Sequence, residues 1–356
     1  MDAYSLVRPA LFRADPETAH ELALAALRLG LYPRDREPHR QSLRVSALGL
    51  DFPHPVGMAA GFDKNGEVPG ALLAMGFGFV EIGTVTPRPQ PGNPRPRVFR
   101  LAEDGALINR LGFNSDGHDL VRARLETHAR QGIVGVNIGA NKESDDPAGD
   151  YVLGARAFAE LADYLTVNIS SPNTPGLRGL QDEGALGRLL DRVTAELGAG
   201  ARPPLLVKIA PDLDDAALAR IVETAVEKGV DGLIVSNTTV TREGVTDRAL
   251  AAQAGGLSGR PLLAMSTRML ARAHVMSAGR LALVGVGGVG SGADAFAKIK
   301  AGACLVQLYT AMVFEGPSIA MRIKRELARL VEREGLSSLS DAVGCDAVNM
   351  QHTSGG

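Results

Sequence analysis

Eight short runs of apolar and β-branched residues recur along the chain, each passing into a turn and most of them into a helical pattern. They fall at 56–60, 79–83, 134–139, 164–169, 205–209, 232–237, 281–286 and 304–309. Helical periodicity between them is strongest at 185–197, 215–228 and 291–300. Eight strands alternating with helices over roughly 250–300 residues point to an α/β fold of the (β/α)8 barrel type. A doubly wound sheet is the second architecture that the same pattern allows.

The strand ends carry the chemistry. Behind the fourth run stand Asn168, Ser170, Ser171, Pro172, Asn173, Thr174 and Pro175. A hydroxyl set between carboxamides, on a backbone stiffened by proline, suits holding a small polar ligand and moving one proton. Taken alone, such a stretch is an ordinary Asx/Ser turn after a strand. The same design recurs elsewhere. The first run ends in Ala59-Ala60-Gly61-Phe62-Asp63-Lys64, the second in Thr84, the third in Asn137, the fifth in Lys208 and the sixth in Ser236-Asn237-Thr238. A lone Lys208 is equally well read as a structural ion-pair lysine. Lysines after the first and fifth strands, with asparagines on the third, fourth and sixth, are hard to explain as core packing. Polar groups in a barrel mouth cost free energy unless a ligand or a network satisfies them.

Composition narrows the function classes. The chain has 356 residues, 45% of them apolar and 22% charged, with a net charge of -2. There is no basic stripe, so nucleic acid is not an expected partner. Cys304 and Cys345 give neither a disulfide framework nor metal-ligand spacing, and a reducing compartment is expected. Cys304 reads as a small apolar residue on the eighth strand. The seven histidines form no His-Glu-x-x-His pattern, so metal chemistry has no support. No apolar run approaches the ~20 residues of a membrane-spanning helix, and no signal peptide opens the chain, which is expected to stay in the cytoplasm.

Two segments depart from a minimal barrel. The connection between residues 83 and 134 opens with Thr86-Pro-Arg-Pro-Gln-Pro-Gly-Asn-Pro94, and five prolines within residues 87–96 forbid regular helix there. It reads as a shaped loop followed by a hairpin, the kind of long connection that serves as a lid or wall. Residues 1–42 precede the barrel. Asp15-Pro16 supplies an N-cap with proline at the first helical position. Behind it Glu17, Glu21 and Arg28 share one polar stripe, and His20, Leu24, Leu27 and Leu31 another. Such a helix packs on the barrel or forms a hydrophobic flap at a membrane interface. Six arginines and six acidic residues among residues 1–40 cancel, so attraction to anionic lipid should be weak. The expected organisation is a helical segment 1–42, a barrel 43–338 and a C-terminal tail 339–356 that contains Cys345.

Near the C-terminus, Gly285-Val-Gly-Gly-Val-Gly290 matches Gly-x-Gly-x-x-Gly. The dinucleotide reading fails its context test. The ribose-binding acid expected ~20 residues on would fall in 305–310, where only Gln307 and hydroxyls stand. In a barrel the same glycines follow strand seven, and Tyr309-Thr310 close strand eight. Loops at those two places commonly form a phosphate site. A mononucleotide cofactor is therefore expected rather than NAD.

Ala59-Ala-Gly-x-x-Lys64, Glu81-Ile-Gly-Thr-Val-Thr-Pro-Arg-Pro-Gln-Pro-Gly-Asn93, Ile108-Asn-Arg-Leu-Gly-Phe-Asn114, Asn168-Ile-Ser-Ser-Pro-Asn-Thr174, Val207-Lys-Ile-Ala-Pro-Asp212 and Gly255-Gly-Leu-Ser-Gly-Arg-Pro261 resemble, in this order, the class 2, quinone-linked dihydroorotate dehydrogenases. The resemblance runs from the leader to about residue 345. It implies an FMN-dependent (β/α)8 enzyme of pyrimidine biosynthesis that oxidises dihydroorotate to orotate and passes two electrons to a membrane quinone. By the same resemblance Ser171 is the catalytic base, removing the C5 proton while the C6 hydride goes to the flavin, with Thr174 and Phe113 shaping the proton's path. Substrate would be held by Lys64, Asn109, Arg110, Leu111, Gly112, Phe113, Asn168, Asn173, Asn237 and Thr238. FMN would be held by Ala60, Gly61, Phe62, Asp63, Lys64, Thr84, Asn137, Asn168, Lys208, Ser236, Gly259, Gly288, Tyr309 and Thr310.

Class 1 relatives carry cysteine where this chain has Ser171, and they lack the leader. In class 2 the leader forms two helices that frame a quinone tunnel, and His20, Arg100 and Tyr309 match tunnel-lining positions. Leu11 stands where some relatives have a polar residue. The implied location is peripheral, on the cytoplasmic side of the cell membrane. A class 1 type enzyme with a soluble acceptor and a non-catalytic phosphate-binding barrel are the competing readings.

Overall fold

Val306 pairs with Val56 and Leu308 with Met58, so the last of the eight strands closes on the first. In chain order the strands of this computed structural model are Val56–Met58, Phe79–Val85, Ile133–Ile138, Tyr164–Asn168, Leu205–Ile209, Gly232–Val235, Ala282–Val286 and Leu305–Leu308, each parallel to the next. Closure leaves no sheet edge and excludes the doubly wound alternative, giving a (β/α)8 barrel. The structure describes residues 3–128, 131–173, 179, 183–198 and 200–350, and Thr174 lies outside them. The first and sixth strands stop at Met58 and Val235, short of the expected residues 60 and 237. The residues beyond leave the ladder and form the mouth of the barrel.

The lower barrel is filled by Phe79, Tyr164, Leu206, Ile234, Val284 and Leu305, all buried. The Phe79 and Tyr164 rings lie 6.4 Å apart at 65°. Glycines on neighbouring strands make room for them: a Cβ on Gly57 would sit 2.4 Å from the Phe79 ring, and one on Gly135 2.1 Å from the Tyr164 ring. Large and small side chains must alternate for the barrel interior to pack. The bottom is sealed by a hairpin, Val45–Ala47 against Leu50–Phe52, whose Val45 and Phe52 join the same cluster. Strands of three residues leave no periodic signature, and nothing in the residue pattern marks this hairpin.

Helices wrap the outside on apolar stripes. Asp215–Glu227 is representative: Asp214 caps it by accepting from the Ala217 N–H at 2.7 Å, and Leu218, Ile221, Val222 and Ala225 face the strands. Burying each of the larger side chains stabilises the fold by roughly 1.5–3 kcal/mol. Residues 339–350, expected as a tail, belong to this outer layer. Leu339, Ala342 and Ala347 are buried, and the Gly344 N–H donates to the Ile299 carbonyl at 3.0 Å.

The leader forms two helices, Ala3–Arg13 with Pro9 inside it and Pro16–Arg28. Asp15 caps the second by accepting from the N–H groups of Glu17 and Thr18 at 3.1 and 3.0 Å. Its polar stripe faces protein: Glu17 meets Arg97 and Arg95, Glu21 meets Arg95, and Arg28 meets Glu67. Leu27 is buried and Leu24 packs on the core. Leu31 does not follow them and is 69% exposed, because the helix ends at Arg28 and Gly30 turns the chain at φ 77°. Leu6, Val7, Leu22 and Leu29 are exposed as well. Behind the proline loop, the expected hairpin (Val98–Leu101 with Ala106–Asn109) gains a third strand, Gly256–Gly259, and lies over the barrel mouth.

Candidate active site and a second chamber

The mouth of the barrel encloses a chamber of about 670 Å³. Its polar end is lined by Lys64, Asn109, Phe113, Asn168, Ser171 and Asn173, with Lys208, Ser236, Asn237 and Thr238 completing the wall. Leu111, Gly112, Ala60, Gly61 and Thr84 also line it. Ser171 is only 5% exposed, and its Oγ accepts from the Asn173 N–H at 3.2 Å. Asn173 Nδ2 reaches Asn109 Oδ1 at 3.4 Å, tying the strand-four loop to the hairpin. Asn93 braces both, its Nδ2 donating to the Arg110 and Asn173 carbonyls at 2.9 and 3.3 Å.

Four of the expected residues stand elsewhere. Asn137 is fully buried behind Thr84, which donates to its Oδ1 at 2.6 Å. The Asp63 carboxylate turns away to accept from the N–H groups of Glu67 and Val68 at 2.9 and 2.8 Å, and so serves the turn. The Arg110 guanidinium points outward to Gln253 Oε1 and the Pro96 carbonyl. Phe62 lines the second chamber described below, not this one.

Two lysines set the electrostatics. Burial lowers the Lys64 ammonium to about 8, against the opposing pull of Glu17. Lys64 Nζ donates to the Gly61 carbonyl at 2.8 Å. Burial also lowers Lys208, while the charge of Glu81 works to raise it. Cations held in a dry cleft focus a field that attracts an anion.

The opposite end of the chamber is walled by glycine. Gly287 and Gly288 adopt φ of 106° and 79°, and a Cβ on Gly288 would lie 2.5 Å from that of Leu263. A Cβ on Gly259 would lie 2.4 Å from the Gly105 carbonyl oxygen. Gly259, Gly288, Tyr309 and Thr310 all line the chamber here. Bare backbone beside Thr310, whose Oγ donates to Ser258 Oγ at 2.9 Å, is the chemistry of a phosphate cradle. Sequence reasoning missed what supports it. Lys298 is fully buried and donates to Ser266 Oγ at 2.5 Å, and Ser266 donates to the Leu262 and Gly287 carbonyls at 2.7 and 3.1 Å. A lysine on the same face as Ala295, Phe296 and Ile299 was the signal for it.

A second chamber of about 710 Å³ lies between the leader helices and the barrel. Its walls include Leu11, His20, Leu24, Phe62, Arg100 and Tyr309. The His20 ring stands edge-on to Phe62 with centroids 5.1 Å apart, and 6.2 Å from Tyr309. Burial, aided by the Lys64 charge, pushes His20 down to about 3, so its imidazole is neutral. Arg100 lies over the Phe12 ring at 4.4 Å and donates to the Phe12 carbonyl at 3.0 Å, leaving its buried Nε unpartnered. Lys64, Val98, Leu107, Leu111, Asn114 and Tyr309 line both chambers, which therefore adjoin.

The two sites are tied together through Arg97. It grips the Glu17 carboxylate with Nη2 at 2.6 Å and Nε at 3.0–3.1 Å, and holds the Pro91 and Asn93 carbonyls with Nη1 at 2.6 and 2.8 Å. Burial alone would raise the Glu17 carboxyl, but the Arg97 hydrogen bond and the charges of Arg97, Arg95 and Lys64 bring it below its usual 4.5. Glu17→Gln is expected to lower stability by about 3–5 kcal/mol, since it leaves a buried cation unpaired. A carboxyl lowered in the folded state contributes stability above its unfolded value and loses it as pH falls. The difference between wild type and Glu17→Gln in denaturant unfolding should therefore shrink below pH 4.5. A pH-independent difference would mean that packing, not charge, is involved.

A closed (β/α)8 barrel with a lysine- and asparagine-lined mouth, a glycine cradle after its seventh strand and a helical leader defines a class of anion-binding barrel enzyme. Residues 42–331 match the sequence model of the dihydroorotate dehydrogenase family, so the chain belongs to that family. The chain is 56% identical over 347 residues to the dihydroorotate dehydrogenase (quinone) of Parvibaculum lavamentivorans, covering 97% of this chain and 99% of that one. It is 50% identical to the enzyme of the same name from Rhodospirillum rubrum, covering 99% and 97%. Among solved structures, the dihydroorotate dehydrogenase of Eimeria tenella in complex with ferulenol superposes with a TM-score of 0.90 at 43% identity, covering 93% of this chain and 96% of that one. The family is one of flavoenzymes. Among the described residues no helix is long and apolar enough to cross a membrane.

Proposed function

We propose that this chain oxidises dihydroorotate to orotate, with FMN as its flavin and a membrane quinone as the electron acceptor. The observation that carries the reading is one chamber that joins a buried hydroxyl, Ser171, and two lysines at one end to a glycine cradle at the other. The relatives named dihydroorotate dehydrogenase (quinone) support the quinone-linked form. The second chamber supports it too, since an apolar cavity sharing a wall with the first gives a separate place for a hydrophobic acceptor. A class 1 type enzyme with a soluble acceptor has no use for that cavity, and a non-catalytic barrel has none for Ser171.

The cradle fits FMN because its glycines leave no room for side chains and present bare backbone to a phosphate. FMN, when bound there, supplies the hydride acceptor. Gly259, Gly288 and Thr310 take the phosphate; Ala60, Gly61, Thr84, Ser236 and Lys208 face the ring system, with Lys208 offsetting negative charge that develops near it. Ser171 takes the C5 proton of dihydroorotate as its own hydroxyl proton passes to solvent along the chamber wall beside Phe113. Asn109, Asn168, Asn173, Asn237 and Thr238 hold the pyrimidine, each carboxamide both donating and accepting. Lys64 holds the carboxylate. His20 and Arg100 meet the quinone, and Leu6, Val7, Leu22, Leu29 and Leu31 form the apolar surface that touches the membrane.

The test is anaerobic addition of dihydroorotate to the flavin-loaded protein. Bleaching of the flavin absorbance, recovered by a quinone analogue but not by fumarate or NAD, is the expected result. A yellow protein that does not bleach rejects the substrate, and one that will not take up FMN rejects the whole reading. Lys64 adds a pH signature. With its ammonium at about 8, orotate affinity should be flat below that pH and weaken as pH rises through it. Lys64→Met should abolish the dependence as well as weaken binding.

A further inference from the structure

Glu81 belongs to none of the roles above, yet it is completely buried in the barrel, one layer below the chamber. Its Oε2 accepts from Tyr164 Oη at 3.1 Å and Gln307 Nε2 at 2.8 Å, and its Oε1 accepts from Asn137 Nδ2 at 2.8 Å. From Asn137 the hydrogen bonds continue upward in one direction. Thr84 Oγ donates to Asn137 Oδ1 at 2.6 Å, and Asn168 Nδ2 donates to Thr84 Oγ at 2.8 Å. Asn168 Oδ1 then accepts from Ser170 Oγ at 3.1 Å, and Ser170 in turn accepts from Asn237 Nδ2 at 2.9 Å.

The upper end has its own anchors, since Asn237 Oδ1 accepts from the Thr238 N–H at 2.8 Å and Asn168 Oδ1 from the Ser170 N–H at 3.4 Å; below Asn168, only the link to Glu81 has a fixed direction. A carboxamide carries a donor and an acceptor on near-identical arms, and a hydroxyl does both. A carboxylate only accepts. With Glu81 at the base, Asn137 must turn its NH₂ group downward and its carbonyl oxygen toward Thr84. Thr84 must then donate to Asn137 and accept from Asn168. We infer that Glu81 is a positioning residue that sets the donor–acceptor polarity of Asn137 and Thr84, and so holds the edge of Asn168 that meets the pyrimidine. The ligand in this inference rests on the functional reading given above. An inverted Asn168 would set carbonyl against carbonyl or N–H against N–H, replacing an attraction with a repulsion and stranding a buried polar group.

The decisive variant is Glu81→Gln, which keeps the shape and adds a donor, so that the chain can run in either direction. Orotate is titrated into the FMN-loaded protein and followed by the flavin absorbance. The Kd is expected to rise at least tenfold, with KM for dihydroorotate rising alongside it. A diagnostic second variant moves the carboxylate one link up. In Glu81→Gln with Asn137→Asp, the aspartate again only accepts, Thr84 must again donate to it, and Asn168 recovers its orientation. That double variant should bind orotate at least threefold more tightly than Glu81→Gln alone, which a purely packing role does not predict. A Kd for Glu81→Gln within twofold of wild type overturns the inference, and so does a double variant no tighter than the single one. Should Glu81→Gln fail to fold, neutron diffraction from deuterated wild-type crystals answers the same question. Amide deuterons of Asn137 on the Glu81 side support the inference, and deuterons on the Thr84 side overturn it. Wild-type protein that binds no orotate rejects the functional reading instead and leaves the neutron result standing.

Discussion

Ser171→Ala retains FMN and reduces it about 10²–10⁴-fold more slowly than wild type when dihydroorotate is added, the range that a general base typically contributes. The size of the effect follows from the site. Ser171 is buried and accepts one hydrogen bond, from the Asn173 N–H, while the neighbouring Ser170 hydroxyl is held between Asn168 and Asn237, outside the chamber lining, and does not replace the lost Oγ. The side chain is small and its backbone bonds are untouched, so stability and orotate affinity should hardly move. Stopped-flow reduction at saturating dihydroorotate separates the two quantities. An unchanged rate would remove Ser171 from the chemistry and direct attention to Lys64.

The second large effect concerns the leader. Removing residues 1–30 takes away one wall of the second chamber, including Leu11, His20 and Leu24. Quinone reduction should be lost while dihydroorotate still bleaches the flavin, because the only lining residue of the first chamber before Ala59 is Arg8, which donates to the Phe314 carbonyl at 3.2 Å. Equal loss of both activities has a specific structural meaning here. Arg97 would have lost Glu17 and with it the bracing of Pro91 and Asn93, so the leader's main work would be to hold the proline loop. Glu17→Gln in the full chain tells these apart, since it loosens the brace without removing a wall of the second chamber.

Much of this was legible in the residues. Strands buried on both faces read as continuous apolar runs, and their ends were marked by lysine, asparagine and hydroxyls wherever the mouth needed them. The N-cap at Asp15 and the glycines of the cradle are local devices, and local devices survive in sequence. What did not survive is pairing between distant segments. The third strand, Gly256–Gly259, is glycine-rich and counts as a strand only because Asn109 lies opposite Gly256. The bottom hairpin is too short for a pattern to form. Glu81 stood in a quoted motif, but its meaning depends on Asn137, Tyr164 and Gln307, which lie 56, 83 and 226 positions away. Lys298 and Arg97 took their meaning from contacts of the same non-local kind.

The side-by-side chambers, with Lys64, Leu111 and Tyr309 among the residues between them, have a consequence for how inhibitors behave. Two chambers, each with its own volume, let each reactant come and go without displacing the other. A compound lodged beside His20 and Arg100 should therefore not be chased off by raising dihydroorotate, nor an orotate mimic by raising quinone. Each would compete with one reactant alone, and two such compounds should bind the same molecule together. This arrangement makes selectivity separable: changes to the leader retune one pharmacology and leave the other as it was.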